Sequence, residues 1–221
     1  MSNTIVTGEV RFSYVNVFEP RANQNGGEPK YQLTVLLPKS DVATKQAIDR
    51  EIQAELANAV NTKFGGQLPA IPSIPIHDGD GVRPNGEPFG EECRGHWVFT
   101  ASSKQKPEVV DANLQPVMSQ SQVYSGCYGR VSLRFFAYNQ AGKKGVGCGL
   151  GNVQKLRDGE PLGGGTTAKQ DFTAVPQNTP QQTFQNGYPQ QMPQNNYPQQ
   201  NVQPVQNGYP QQNNSYGFLG L

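Results

Sequence analysis

Between Val123 and Tyr138 the chain reads VYSGCYGRVSLRFFAY, and the residues there that could do chemistry are rings and guanidinium groups in alternation. With the two-residue period of a strand, Val131, Leu133, Phe135 and Ala137 share one face, while Tyr128, Arg130, Ser132, Arg134, Phe136 and Tyr138 share the other. The first set makes a core face. The second offers flat π surfaces on which unpaired bases stack and cations for the phosphates between them, the chemistry of a groove for single-stranded nucleic acid. A two-sided strand in a sandwich, its outer rings covered by other elements, fits the same pattern, and from this strand alone the two readings stand level.

Taken over the whole chain, the stacking candidates are Trp97, Tyr124, Tyr128, Phe136, Tyr138 and, on a weaker pattern, Tyr14. The candidates for phosphate contact are Lys104, Lys106, Arg130, Arg134, Lys143 and Lys144. A stacked ring is worth about 1–3 kcal/mol by alanine substitution, so two or three rings outweigh any one lysine. For each ring taken singly, packing into the core is the commoner fate, and Trp97 is the most ambiguous.

Other chemistries have less support. Cys93 and His96 are spaced as two zinc ligands could be, with His77, Cys127 or Cys148 to complete a tetrahedron, but no second close pair accompanies them, and no metal is expected. The acidic set Asp78, Asp80, Glu91 and Glu92 could hold a divalent cation for a nuclease, yet HDGDG reads first as a turn. The glycines of GVGCGLG do not match the dinucleotide fingerprint, no Walker lysine motif is present, and no nucleophile elbow supports a hydrolase triad. The expectation is a protein without catalysis and without a cofactor.

The elements that must position these groups are mostly strands. Thr4 to Phe18 alternates as one long first strand, Tyr31 to Leu37 as a second, and Gly95 to Ala101 as a third with Trp97 and Phe99 on one face. Glu108 to Asp111 is a short strand, and Gly145 to Arg157 a last one whose alternate glycines let a backbone or a ring lie close. Ser40 or Asp41 caps a single helix in which Ile48, Ile52, Leu56, Val60 and Phe64 form one apolar stripe, ended by Gly65 and Gly66. Gln67 to Glu92, rich in proline and glycine, is a long insertion of the kind that often carries a binding role. About six strands, one helix and no βαβ alternation predict a β-dominated Greek-key barrel with one covering helix and long loops.

Composition divides the chain into a folded domain over 1–171 and a disordered tail over 172–221. Every charged residue lies between Glu9 and Asp171, and the tail carries NGYPQQ twice, NNYPQQ once and an apolar tip from Tyr216 to Leu221. The formal net charge of +1 gives no global attraction to a polyanion, so a site must come from local clustering. Three widely spaced cysteines argue against a disulfide framework, and neither a signal peptide nor a membrane span is legible; a cytoplasmic protein is expected.

Together, SYVNVFEP at 13–20, KYQLTVLLPK at 30–39, HDGDG at 77–81, VYSGCYGRV at 123–131 and GVGCGLGNVQKLRDGEPLGG at 145–164 resemble a family of tailed-phage single-stranded-DNA-binding proteins over most of residues 3–172. The resemblance implies an oligonucleotide-binding (OB) fold, a five-stranded barrel that coats exposed strands during phage replication and recombination. Within VYSGCYGRV, Tyr124, Tyr128 and Arg130 unite family motif with binding chemistry. Single-strand binders commonly end in an acidic tail that recruits replication proteins; this tail is uncharged, so recruitment of phage or host proteins would fall to its tyrosine repeats or apolar tip. The alternative is a structural or assembly protein using barrel and tail for protein contacts alone. Self-association is left open.

Overall fold

The computed structural model describes residues 3–22, 27–140 and 142–163; the expected disordered tail, its repeats and its tip lie outside the described residues. In order, the strands are β1 (Ile5–Val6), β2 (Val10–Arg21) and β3 (Lys30–Pro38), then helix α1 (Val42–Thr62), then β4 (His77–Asp78), β5 (His96–Ser103), β6 (Val109–Val110), β7 (Tyr128–Gln140) and β8 (Lys143–Arg157). Short 3-10 turns occupy Glu91–Cys93 and Gln120–Gln122.

Five strands close on themselves in the circuit β7–β2–β3–β5–β8–β7. All neighbours are antiparallel except β5 and β8, which run parallel through Ser102 and Gly149. This is the five-stranded Greek-key barrel of the OB type. β1 extends the edge of β7, β4 pairs with β5, and β6 lies parallel to β8. The barrel interior takes the alternate residues that the sequence pattern assigns to it: Val131, Leu133, Phe135 and Ala137 of β7 are buried, with Val146, Cys148, Leu150 and Val153 facing them from β8.

Helix α1 closes one end. The Asp41 carboxylate accepts from the Thr44 amide at 3.0 Å, which satisfies one free donor of the first turn. Ile48, Ile52 and Leu56 are buried as expected, Ala59 is buried where Val60 was expected and Val60 is half-buried, and Phe64 is buried beyond the helix end, where Gly65 and Gly66 turn the chain with positive φ. Among the described residues no helix is long and apolar enough to cross a membrane.

The expected single first strand is corrected. Its alternation is interrupted at 7–9, where the Thr7 amide bonds to the Val131 carbonyl at 3.0 Å, and again by a bulge between Ser13 and Asn16. Val10 and Phe12 are buried, but Ser13 is buried too, and Val17 rather than Phe18 resumes the core face. The bulge therefore reverses the faces of the strand. Tyr14, at φ 47°, is turned outward with 58 % of its surface exposed.

Candidate nucleic-acid interface

An open groove of about 980 Å³ crosses the outer face of β3 and β5. Its floor is Thr34, Leu36, Val98, Thr100 and Ser102, the residues whose neighbours in sequence, Val35, Phe99 and Ala101, fill the core. Leu36, Val98 and Cys93 form a small apolar cluster with Phe89, a second core outside the barrel that fixes the insertion against the sheet. The β7–β8 hairpin contributes Phe136, Tyr138 and Gln140 to the lining of the groove, and the insertion contributes Ser73, Ile74, His77, Arg83 and Phe89. Tyr14, Lys30 and Lys104 line it as well.

The glycines of β8 explain how Phe136 is held. Gly147 lies opposite Phe136 in the ladder, and a Cβ there would come within 2.7 Å of the ring's Cζ. The ring thus lies over a bare backbone while 48 % of the residue stays exposed. Gly145 serves the other use of a missing side chain: a Cβ would collide with the backbone of Ser73, which pairs there through Ser73 N to Lys144 O at 3.0 Å and Val146 N to Ser73 O at 2.9 Å. The same strand therefore seats a ring and anchors the insertion.

Arg134 and Arg130 continue along the exposed face of β7 beyond Phe136. Each is oriented through Nε, Arg134 by donating to Thr4 Oγ1 at 3.2 Å and Arg130 by donating to the Thr7 carbonyl at 3.0 Å. Held so, a guanidinium presents its outer nitrogens as a fork suited to phosphate. Lys104 pairs with Glu28, whose carboxyl that ammonium holds below its ordinary range. Arg83 sits over the Phe89 ring at 5.4 Å.

Three sequence-predicted rings are not in the groove. Tyr128 is flanked by two cations, Arg157 at 3.6 Å and Arg11 at 5.6 Å from the ring centre, and Arg157 in turn pairs with Glu9 at 2.6 Å. Tyr124 donates its hydroxyl to the Gly159 carbonyl at 2.8 Å, and Lys155, held by Asp158 at 2.7 Å, lies over its ring. These contacts, with Arg11 donating to the Glu160 carbonyl at 2.7 Å, fasten residues 158–162 to the barrel. Trp97 faces the main core, and Lys45 from α1 and Lys39 cover its ring at 4.4 and 5.1 Å.

Among the lysines, Lys106 lies by a separate apolar hollow under the β6 loop, Lys143 is exposed at the start of β8, and Lys144 donates to the Phe64 carbonyl at 2.8 Å. HDGDG proves to be a lysine clamp: Asp78 and Asp80 hold Lys39 at 2.5 and 2.6 Å, and its ammonium keeps both carboxyls below their usual range. Among the described residues no three potential metal ligands come together. Burial pushes the Cys93 thiol up to about 11 and the Cys148 thiol up to about 12, so both stay protonated at neutral pH.

Lys30, Arg83 and Phe89 were absent from the sequence-derived candidates, and His77, weighed there as a possible metal ligand, lines the groove instead. The only signal for Arg83 and Phe89 was the length and composition of the insertion that carries them, and nothing in the pattern singled out Lys30.

A family model described as the single-stranded-DNA-binding protein of Enterobacter phage Enc34 matches residues 3–184. Protein p50 of Acyrthosiphon pisum secondary endosymbiont phage 1 is 31% identical over 179 residues, which span 76% of this chain and 91% of that one. The solved structure of the Enc34 protein in complex with single-stranded DNA has a TM-score of 0.63 at 32% identity, covering 72% of this chain and 89% of that one. The gp2.5 single-stranded-DNA-binding protein of bacteriophage T7, at 15% identity and a TM-score of 0.53 over 81% of this chain and 98% of that one, shares the fold.

Proposed function

The chain belongs to the Enterobacter phage Enc34 single-stranded-DNA-binding protein family, and from that premise we propose that it binds single-stranded DNA in the groove over β3 and β5 without reading its sequence. The observation that carries this reading is the pair of outward rings, Tyr14 and Phe136, lining an open channel that Lys30, Arg83 and Lys104 also line. In OB folds the same strand face and the loops flanking it are where oligonucleotides lie.

The division of labour follows from the chemistry. Bases stack on Phe136, Tyr14 and Tyr138, which any base satisfies because each has a π face. Phosphates meet Lys30, Lys104, Arg83 and, where the strand leaves along β7, Arg134 and Arg130. Neither step makes or breaks a bond, and the protein coats strands exposed during phage replication, recombination and repair in the host cytoplasm. The uncharged tail serves as a tether through which phage or host replication proteins are met.

Titration against oligo-dT and against duplex of equal length, at low and high salt, tests the proposal. It requires preference for the single strand and affinity that falls steadily as salt rises. Absence of binding at low salt would favour a structural or assembly role built on protein contacts.

A further inference from the structure

A carboxylate in a groove built for a polyanion repels the phosphates that pass it. Glu92 lines that groove, half-buried, on the 3-10 turn Glu91–Cys93. Its side chain folds back over Gly90, where a Cβ would collide with both carboxylate oxygens. Among the described residues the carboxylate has one hydrogen-bond partner, the Cys93 thiol at 3.8 Å, and no cation pairs with it. The fold therefore seats the group and leaves most of its accepting capacity unused.

A smaller hollow of about 310 Å³ adjoins the groove at this point, since Ser13, Tyr14 and Glu92 line both. Ser125, Leu162 and Gly163 complete it. Its walls are tied together: Ser125 Oγ accepts from the Val15 amide at 3.3 Å, beside the bulge that turns Tyr14 outward, and the Ser125 carbonyl accepts from the Leu162 amide at 2.8 Å. Leu162 packs in turn against the cluster of Leu36, Cys93 and Val98. The hollow thus brings a ring, an apolar side chain and a pair of acceptor oxygens to a space at the small end of ligand sites, the size class of a single base.

Within a DNA strand the backbone oxygens accept hydrogen bonds, and the donors are on the base edges. Guanine presents two of them side by side, N1–H and N2–H, at the spacing of the two oxygens of a carboxylate. Adenine and cytosine each set one amino group beside a ring acceptor, and thymine sets one N–H between two carbonyls. Each of these three therefore turns a lone pair toward a carboxylate oxygen.

We infer that this hollow takes one base of the bound strand, stacked on Tyr14, and favours guanine there through paired hydrogen bonds from N1–H and N2–H to Glu92. The inference rests on single-strand binding in the groove as proposed above. It adds a bias at one position to binding that every sequence achieves.

The test titrates the full chain with oligo-dT and with the same oligomer carrying evenly spaced dG, dA or deoxyinosine, the last of which keeps the N1–H of guanine and lacks its amino group. The wild type is expected to bind the dG oligomer about tenfold more tightly than oligo-dT, the scale of one bidentate base contact, with deoxyinosine between the two and dA well below dG. Glu92→Gln puts a donor where one acceptor was, and should bring the dG oligomer down to the level of dA. The same variant should bind oligo-dT at least as tightly as the wild type, because a negative charge has left the groove. Equal binding of the dG and dA oligomers by the wild type overturns the guanine contact and leaves groove binding standing. A dG preference undiminished in Glu92→Gln overturns it as well, in favour of stacking strength alone. Failure of the wild type to bind any of the four oligomers overturns both readings together.

Discussion

Two clusters of rings and cations stand on the outside of one barrel, and they differ in what their partners already hold. At the corner around Tyr128, every cation faces a ring and has a second partner: Arg157 has Glu9, Lys155 has Asp158, Arg11 has the Glu160 carbonyl. At the groove, Tyr14 and Phe136 present open faces beside a channel, and their surroundings hold them without covering them. The composition of the two clusters is the same. What separates the two is whether the faces of the rings are already covered: at the corner cations lie over them, while at the groove they stay open.

The strongest way to break that contrast is to strip the open cluster. Tyr14→Ala combined with Phe136→Ala should weaken oligo-dT binding by about a hundredfold or more, from about 1–3 kcal/mol per ring, with little change in Tm. If the double variant binds like the wild type, the groove rings are not where bases lie.

Tyr128→Ala should do the reverse. Loss of the ring between Arg11 and Arg157 is expected to cost about 1–3 kcal/mol of stability in a denaturant melt while oligo-dT affinity of the folded protein is retained. A selective loss of affinity at unchanged stability would move the corner into the binding site.

Tyr14 sharpens the contrast further because its backbone carries a cost. A residue with a side chain at φ 47° sits in the left-handed region, disfavoured by about 1–2 kcal/mol relative to glycine. Tyr14→Gly is therefore expected to raise Tm and lower DNA affinity in one variant, the signature of strain retained for function. Stability and affinity falling together would mean that the ring is packing material.

The smallest effect expected concerns pH. Lys155 holds the Asp158 carboxyl below its ordinary 3.8, and Lys39 does the same to Asp78 and Asp80. Such carboxylates contribute stability above their unfolded value, and it is lost as pH falls through the depressed folded value. Lys39, whose ammonium the two aspartates push above 10.5, contributes stability that is full below that value and lost as pH rises through the raised one. Tm should be level between about pH 5 and pH 9 and decline below about pH 4, with the corner and the lysine clamp loosening first.

How much of this was legible follows from range. The core face of β7, the helix stripe with its Asp41 cap, and the close approaches at the β8 glycines depend on local period and were all readable. Phe136 and Tyr138 were readable for the same reason, since they sit on the outer face of a regular strand. Tyr14 was obscured by the bulge at Ser13–Asn16, which swaps the faces of β2 and leaves no mark in the alternation. Tyr128 and Trp97 could not be sorted, because the cations that cover them come from Arg11, Arg157 and Lys45, brought together only by the closed circuit and the packing of α1. Arg83 and Phe89 lie in an insertion whose path is set by a second small cluster with Leu36 and Val98, again a long-range event.

Photocrosslinking with an oligonucleotide carrying bromodeoxyuridine, followed by mapping of the modified residues, puts the claim to its most direct test. The structure leads us to expect adducts at Phe136, Tyr14 and Tyr138, with Tyr124, Tyr128 and Trp97 unmodified. Adducts concentrated on Tyr124 and Tyr128, with the groove rings untouched, would contradict the account.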